Sequence, residues 1–204
     1  MYKYNKQSLS VNMPTTRTGS LELIIGPMYA GKSTELIRSI RRFKCLHKNV
    51  LVINHIINNR YGSSSLTTHN RDSFDECIIL ENLGDIKSES NIHLFEQADV
   101  IVIEELQFFT DAYDNIVDWI DNQGKCVVAA GLDGDFRKQP FGDVLRLIPH
   151  AEEVKKLKAL CRKCCDGTEA HFTKRTTCDQ QTTLVGSDDI YEPVCRYHFL
   201  HDDE

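Results

Sequence analysis

Length, composition and charge exclude several classes of protein. The chain has 204 residues, of which 41% are hydrophobic and 26% are charged, so we expect a globular fold and not wholesale disorder. Its net charge is −6, with 30 acidic against 24 basic residues, which argues against a broad basic surface for nucleic acid or anionic lipid.

The predicted elements alternate between strands and helices as far as Pro149. Residues 1–19 are mostly polar and predict a flexible tail. Short apolar runs predict buried strands, and apolar residues at helical spacing predict helices. In chain order these are strand 21–25, helix 34–44, strands 50–53 and 77–80, helix 91–98, strand 100–103, helix 111–122 and strand 126–130. The alternation predicts a parallel α/β sheet, because parallel strands need crossover connections.

A change of composition marks a second, smaller unit after this region. Residues 155–204 are largely polar and contain five of the eight cysteines. We therefore predict an α/β domain at 20–154 and a smaller domain at 155–204. The N-terminal sequence lacks the apolar core of a signal peptide, and no segment approaches the ~18 apolar residues of a membrane span. We expect a cytoplasmic protein whose cysteines are free, catalytic or metal-bound.

Residues 26–33 match the phosphate-binding pattern G-x-x-x-x-G-K-[ST] without a mismatch. The match follows a predicted strand and precedes a predicted helix, as this motif requires. Its glycines let backbone N–H groups and the helix N-terminus face phosphate oxygens. Lys32 is expected to reach the β- and γ-phosphates, and Ser33 to bind Mg²⁺. The alternative is a strand–turn–helix with an accidental Gly-Lys-Ser.

Two acidic residues follow the predicted strand 100–103. Glu104 is expected to hold the magnesium shell, because a phosphate loop needs a second acidic element at the end of a buried strand. Glu105 is the next residue, so on a strand it would point to the opposite side, towards a nucleophile. The alternative is a solvated pair of acids with no role in chemistry.

Four residues of the C-terminal unit predict a metal site. Cys161-x-x-Cys164 and Cys195-x-x-His198 each have the spacing that puts two side chains on one ion. Three thiolates and one imidazole make a closed tetrahedral zinc site, which indicates a structural role. Redox chemistry is the alternative for a lone Cys-x-x-Cys. Further possible but less favoured ligands are Cys165, His171 and His201.

Two segments of the chain are more specific than a phosphate loop alone. They are Gly-Pro-Met-Tyr-Ala-Gly-Lys-Ser-Thr-Glu-Leu-Ile-Arg at 26–38 and Glu-Leu-Gln-Phe-Phe at 105–109. Through them the chain resembles the type II (cytosolic-type) thymidine kinases, and the resemblance covers about residues 20–200. It continues through Arg60-Tyr61, His69, segments 129–136, 140–142 and 173–175, and Val185-Gly186, Tyr191 and Cys195-Arg196. It implies a RecA-like P-loop NTPase sheet flanked by helices, with a small zinc-binding unit that carries a lasso-like substrate loop.

This resemblance also implies a reaction and its site residues. The reaction is ATP-dependent phosphorylation of the 5′-hydroxyl of thymidine, and of deoxyuridine, in nucleotide salvage. Glu105 would be the base, and Arg60 an extra cation near the transferred phosphoryl group. Residues implied for ATP and Mg²⁺ are Gly26, Pro27, Met28, Tyr29, Ala30, Gly31, Lys32, Ser33, Thr34, Arg60, Glu104 and Gln107. Residues implied for thymidine are Met28, Phe108, Leu132, Phe136, Phe141, Thr173, Leu184, Val185, Gly186 and Tyr191.

Further properties are implied in the same way. Residues 173–186 would close over thymidine and hold dTTP as a feedback inhibitor, and the family is usually tetrameric. Taken singly, Phe136 and Phe141 are better explained as ordinary core residues than as ligand contacts. The chain departs from the family pattern at Asn58, Glu104, Leu106 and Ser187, and these changes bear on rate and substrate breadth.

Two other functional classes remain open from the sequence. One is a RecA-like, nucleic-acid-stimulated ATPase with a zinc module, although the acidic balance argues against the basic stripe it would need. The other is a non-catalytic nucleotide sensor. Both share the phosphate loop and the acidic strand end with the kinase.

Overall fold

The structure is a computed structural model that describes residues 18–58, 66–67, 73–74, 77–177 and 190–201. Its strands are β1 (Ser20–Ile25), β2 (Val50–His55), β3 (Leu66–Thr67), β4 (Ser73–Phe74), β5 (Cys77–Leu80), β6 (Val100–Ile103), β7 (Cys126–Gly131), β8 (Glu153–Lys156), β9 (Ala159–Leu160), β10 (Glu169–Ala170), β11 (Phe172–Arg175) and β12 (Tyr191–Val194). Its α-helices are α1 (Lys32–Cys45), α2 (Ile92–Gln97), α3 (Ala112–Asp121) and α4 (Arg196–Leu200). Four 3₁₀ segments lie at Ile56–Asn58, Leu83–Lys87, Leu106–Phe108 and Val144–His150.

Six parallel strands form the main sheet, in the order β5-β2-β6-β7-β1-β8. The predicted α/β class is therefore confirmed, and every predicted strand and helix is present. Because parallel strands end at the same edge of a sheet, the residues that follow β1, β6 and β7 lie close together. β7 separates β1 from β6, so any contact between the ends of those two strands spans one intervening strand.

The two faces of the sheet carry separate hydrophobic cores, because side chains alternate along each strand. In β1, Leu21 and Leu23 belong to the core that α3 covers, whereas Ile24 belongs to the core that α1 covers. The helices contribute Leu36, Ile37 and Ile40 from α1, and Ile116, Trp119 and Ile120 from α3. Burying one such side chain contributes about 1.5–3 kcal/mol to the stability of the fold. The apolar residues of α1 and α3 therefore hold the two helices on opposite faces of the sheet.

The C-terminal region adds two short antiparallel sheets, β9 with β10 and β11 with β12. Its small core consists of Ala159, Cys161, Ala170, Val194 and Cys195. Tyr29 and Ala30, from the segment between β1 and α1, pack against this core. β8 carries the chain across residue 155 while paired with β1, and the division into domains there stays a prediction. Within the described part of the chain, no helix is long and apolar enough to cross a membrane.

Candidate functional site

The loop at 26–31 joins β1 to α1 and has an unusual backbone. Gly26, Tyr29 and Gly31 have φ values of 145°, 63° and 82°. A Cβ on Gly26 would lie 2.5 Å from the carbonyl oxygen of Leu157, so only glycine allows this close approach. A Cβ on Gly31 would have no atom within 4 Å, so the N-terminus of α1 is open on that side. Backbone N–H groups in such a loop form an anion-binding concavity.

Lys32 lies across this loop. Its Nζ donates a hydrogen bond to the carbonyl oxygen of Pro27 at 2.8 Å. Burial lowers the pKa of Lys32, and the charges of Glu105, Glu104 and Asp133 oppose that shift. The ammonium group is therefore held between the loop and a group of carboxylates, where an anionic ligand would find a positive partner.

Glu104 follows β6 and is 4% exposed. Ser33 Oγ donates a hydrogen bond to its Oε1 at 2.7 Å. Burial and the charge of Glu105 raise the pKa of Glu104 to about 8, while the Ser33 hydrogen bond and Lys32 act in the opposite direction. The second oxygen, Oε2, is buried with no hydrogen-bond partner in the described residues. A buried carboxylate oxygen beside a hydroxyl is a donor set that fits Mg²⁺.

Glu105 is half-buried and lies beside Glu104 with a different set of contacts. Gln107 Nε2 donates a hydrogen bond to Glu105 Oε2 at 2.6 Å, and the backbone N–H of Leu132 donates to Gln107 Oε1 at 2.9 Å. Gln107 is 3% exposed. The end of β7 thus fixes Gln107, which in turn holds one oxygen of Glu105.

An aromatic wall adjoins the two acids. The rings of Phe108 and Phe141 are 5.6 Å apart and perpendicular. Gly142 follows with φ +57°, and a Cβ there would lie 2.4 Å from the carbonyl oxygen of Gln107, so this loop packs closely against the segment after β6. His55 lies behind the wall, with its ring 5.6 Å from Phe108. Nothing local in the sequence around His55 indicates this contact.

The C-terminal unit reaches the site through β11 and β12. Met28 N–H donates a hydrogen bond to Thr173 Oγ1 at 3.0 Å. Phe136 and Tyr191 both contact the guanidinium of Arg175, which lies 3.7 Å from the first ring and 5.1 Å from the second. The sequence places Arg175 only within the family segment 173–175 and indicates no role for it.

The cysteine and histidine pairs meet in one cluster, and the ligand atoms of Cys161, Cys164, Cys195 and His198 all lie within 4.8 Å of one another. The Sγ atoms of Cys164 and Cys195 are 3.8 Å apart. His198 Nδ1 lies 3.4 Å, 3.4 Å and 3.6 Å from the Sγ atoms of Cys164, Cys195 and Cys161. Zinc–ligand bonds of about 2.3 Å (S) and 2.0–2.1 Å (N) in a tetrahedron give edges of roughly 3.8 Å and 3.5 Å. The cluster could therefore hold such an ion.

Three further possible ligands lie outside this cluster in the part of the chain that the structure describes. Cys165 is exposed, and its Sγ contacts the carbonyl oxygen of Arg162. His171 contacts Phe172 and His201 contacts Tyr197. Four of the predicted site residues fall outside the described residues, namely Arg60, Leu184, Val185 and Gly186.

The family model and the relatives that match this chain all carry the same description, thymidine kinase. Residues 19–199 match the family model described as thymidine kinase. The chain is 41% identical over 183 residues to a thymidine kinase of Oryza sativa subsp. japonica, covering 89% of the chain and 66% of the rice protein. It is 39% identical over 188 residues to the thymidine kinase of Vaccinia virus (strain Western Reserve), covering 89% of the chain and 97% of the viral protein. For the thymidine kinase of Yaba monkey tumor virus the identity is 41% over 181 residues, covering 89% and 94%.

Proposed function

The chain belongs to the thymidine kinase family, whose reaction is the phosphorylation of thymidine with ATP, and we propose that the 26–33 loop and the ends of β6 and β7 form its active site. The observation that carries this proposal is the 2.7 Å hydrogen bond between Ser33 Oγ and Glu104 Oε1. It joins the loop to the end of β6 across the intervening β7, as a RecA-like P-loop NTPase requires. The family comparison favours the kinase over a nucleic-acid-stimulated ATPase or a nucleotide sensor.

Four side chains and the backbone of the loop form the proposed phosphate site. Lys32 and the backbone N–H groups of the loop bind the β- and γ-phosphates of ATP. Ser33 and the unpartnered oxygen of Glu104 would hold Mg²⁺, which when bound would neutralise charge on the transferring phosphoryl group. Arg60 is proposed as a further cation at this group.

Glu105 is the proposed general base. It accepts the proton of the thymidine 5′-hydroxyl while that oxygen bonds to the γ-phosphorus and the bond from phosphorus to ADP breaks, which gives dTMP and ADP. Positioning and charge neutralisation supply most of the acceleration, because the transition state of phosphoryl transfer is loose. A well-placed base raises the rate by about 10²–10⁴-fold. A hydrogen bond from Gln107 holds one oxygen of Glu105 in place for this role.

The nucleoside is proposed to lie against the aromatic wall of Phe108 and Phe141. The remaining proposed contacts are Met28, Leu132, Phe136, Thr173, Leu184, Val185, Gly186 and Tyr191. Deoxyuridine should also be a substrate, because one methyl group in an apolar pocket is worth only about 1–3 kcal/mol. A lasso-like loop at 173–186 is proposed to close over the base and to bind dTTP as an inhibitor.

Zinc is the proposed ion of the cysteine–histidine cluster, with a structural role because all four tetrahedral positions are filled by protein. The cluster shares its core with Tyr29 and Ala30 of the phosphate loop, so metal binding supports the loop as well as the C-terminal unit. A homotetramer acting in cytoplasmic nucleotide salvage is proposed from the family resemblance.

ADP release tests this proposal directly. Wild-type protein with ATP and Mg²⁺ should release ADP when thymidine is added and not when single-stranded DNA is added. Glu105→Gln should lose about 10²–10⁴-fold in turnover while its affinity for ATP stays near that of the wild type. The control is Glu89→Gln, which makes the same change at an exposed glutamate. Stimulation by DNA without stimulation by thymidine, or unchanged turnover of Glu105→Gln, would overturn the assignment.

A further inference from the structure

One strand of the C-terminal unit contacts the phosphate loop and the nucleoside pocket at once. Thr173 and Arg175 stand two residues apart on β11, and they are 5% and 9% exposed. They share a face because side chains alternate along a strand. Thr173 accepts the hydrogen bond from Met28 N–H. Lys174, between them, instead donates to the carbonyl oxygens of His198 and His201.

Arg175 contacts two aromatic side chains from different parts of the fold. Its Cζ lies 3.7 Å from the ring centroid of Phe136, in the segment after β7, and 5.1 Å from that of Tyr191 on β12. Its Nη2 also donates a hydrogen bond to the Tyr191 hydroxyl. One buried guanidinium therefore joins Tyr191, of the same C-terminal unit, to Phe136, which follows β7 of the main sheet, and both rings are proposed for the thymidine pocket.

We propose that Arg175 is a positioning residue that fixes the rings of Phe136 and Tyr191 and thereby sets the affinity for thymidine. This inference rests on the proposed function, since it assigns those two rings to the nucleoside. Arginine suits the role because its planar guanidinium stacks on a ring face and donates hydrogen bonds in its own plane. A lysine ammonium is compact and cannot do both at these positions.

A purely structural role of Arg175 would have different consequences for the kinetics. If Arg175 only stabilised the C-terminal unit, its loss would lower the melting temperature and the fraction of active enzyme, and the KM for thymidine of the remaining enzyme would not change. A positioning role changes the KM for thymidine and leaves the KM for ATP unchanged, because Arg175 contacts the rings of Phe136 and Tyr191, whereas the ammonium group of Lys32 is held by the carbonyl oxygen of Pro27.

The test compares Arg175→Lys and Arg175→Met with Arg137→Met. Arg137 is the matched control, because its Cζ lies 4.8 Å from the same Phe136 ring but its side chain is exposed. We expect the KM for thymidine to rise at least about tenfold in both Arg175 variants, which corresponds to about 1.4 kcal/mol, and less than about twofold in Arg137→Met. An unchanged KM for thymidine, an equal rise in the KM for ATP, or an equal effect in Arg137→Met would overturn the inference.

Tyr191→Phe keeps the test decisive if the Arg175 variants do not fold. It removes the hydroxyl that accepts from Arg175 and retains the ring, so we expect a several-fold rise in the KM for thymidine with the KM for ATP unchanged. A wild-type KM in Tyr191→Phe would overturn the inference. Failure of the proposed function is distinguishable, because the wild-type protein would then show no thymidine-dependent ADP release at all.

Discussion

The effect of substituting Gln107 on rate and stability can be worked out from its two hydrogen bonds. Its amide oxygen accepts from the backbone N–H of Leu132 at 2.9 Å, and its amide nitrogen donates to Glu105 Oε2 at 2.6 Å. Gln107→Met retains a side chain of similar length and removes both hydrogen bonds. The variant therefore frees the proposed base without changing its chemistry.

The expected loss of rate comes from the hydrogen bond to Glu105. A hydrogen bond to a charged group is worth about 1.5–3 kcal/mol, which sets an upper limit of about 10–150-fold on the fall in kcat, because only the part of the bond that is stronger in the transition state than in the bound ground state affects kcat. The total effect cannot exceed the roughly 10²–10⁴-fold that a base contributes. Loss of the partner of Leu132 N–H should also lower the free energy of unfolding by about 1–3 kcal/mol.

A double-mutant cycle is the appropriate assay. kcat for dTMP formation is measured in the wild type, Gln107→Met, Glu105→Gln and the double variant, with far-UV circular dichroism to verify folding. If Gln107 acts through Glu105, its substitution should cost less than about threefold in the Glu105→Gln background. Full additivity of the two losses would refute the reasoning, because Gln107 would then act independently of the base.

Three further predictions concern the metal cluster, one histidine and one lysine. Removing metal with a chelator should lower the melting temperature and raise the KM for thymidine, and re-adding Zn²⁺ should restore both; active enzyme without stoichiometric metal by elemental analysis would contradict this. Burial lowers the pKa of His55, although Glu81, Glu105 and Asp111 oppose the shift. The folded protein therefore favours the neutral imidazole, and the stability that His55 contributes is complete above its unfolded pKa of about 6.5. This contribution is lost as the pH falls through the lower folded pKa. His55→Gln should therefore lose less stability than the wild type between pH 7 and pH 5 in urea unfolding, and equal losses would exclude His55 as the group responsible. Lys125→Met should lower the free energy of unfolding by about 1–3 kcal/mol with unchanged kcat, because Nζ donates to the carbonyl oxygens of three residues at the end of α2; an unchanged melting temperature would show that those bonds contribute nothing.

Five of the six strands of the main sheet were predictable from their largely apolar sequences. Segments 100–103 and 126–130 are almost continuous apolar runs, which is typical of strands covered by helices on both sides. β8 (Glu153–Lys156) gave no such signal, since its sequence is Glu-Val-Lys-Lys and its side chains are exposed or half-buried. It is a strand because it pairs with β1, and that pairing is a tertiary contact which no local pattern encodes.

The candidate site could be predicted where its proposed chemistry lies in short motifs. The 26–33 loop and the Cys-x-x-Cys and Cys-x-x-His pairs each place their functional atoms within a few residues of sequence. Arg175 was not predictable in this way, because its contacts with Phe136 and Tyr191 join residues that are far apart in the chain. Its sequence neighbours only show that it lies in a polar segment, where an exposed arginine is the ordinary expectation.

Glu104 and Glu105 diverge because the chain turns at Glu105, and not because side chains alternate along a strand. Strand alternation was expected to point them to opposite sides, but β6 ends at Ile103 and Glu105 has left-handed backbone geometry, with φ 56° and ψ 41°. Such a conformation costs a non-glycine residue about 1–3 kcal/mol and persists where surrounding contacts fix it. Here the hydrogen bond from Gln107 fixes the side chain. The turn therefore separates a buried acid at Ser33 from a half-buried acid beside the aromatic wall, and this separation lets two adjacent carboxylates take the two roles proposed for them, one at the metal and one at the nucleoside.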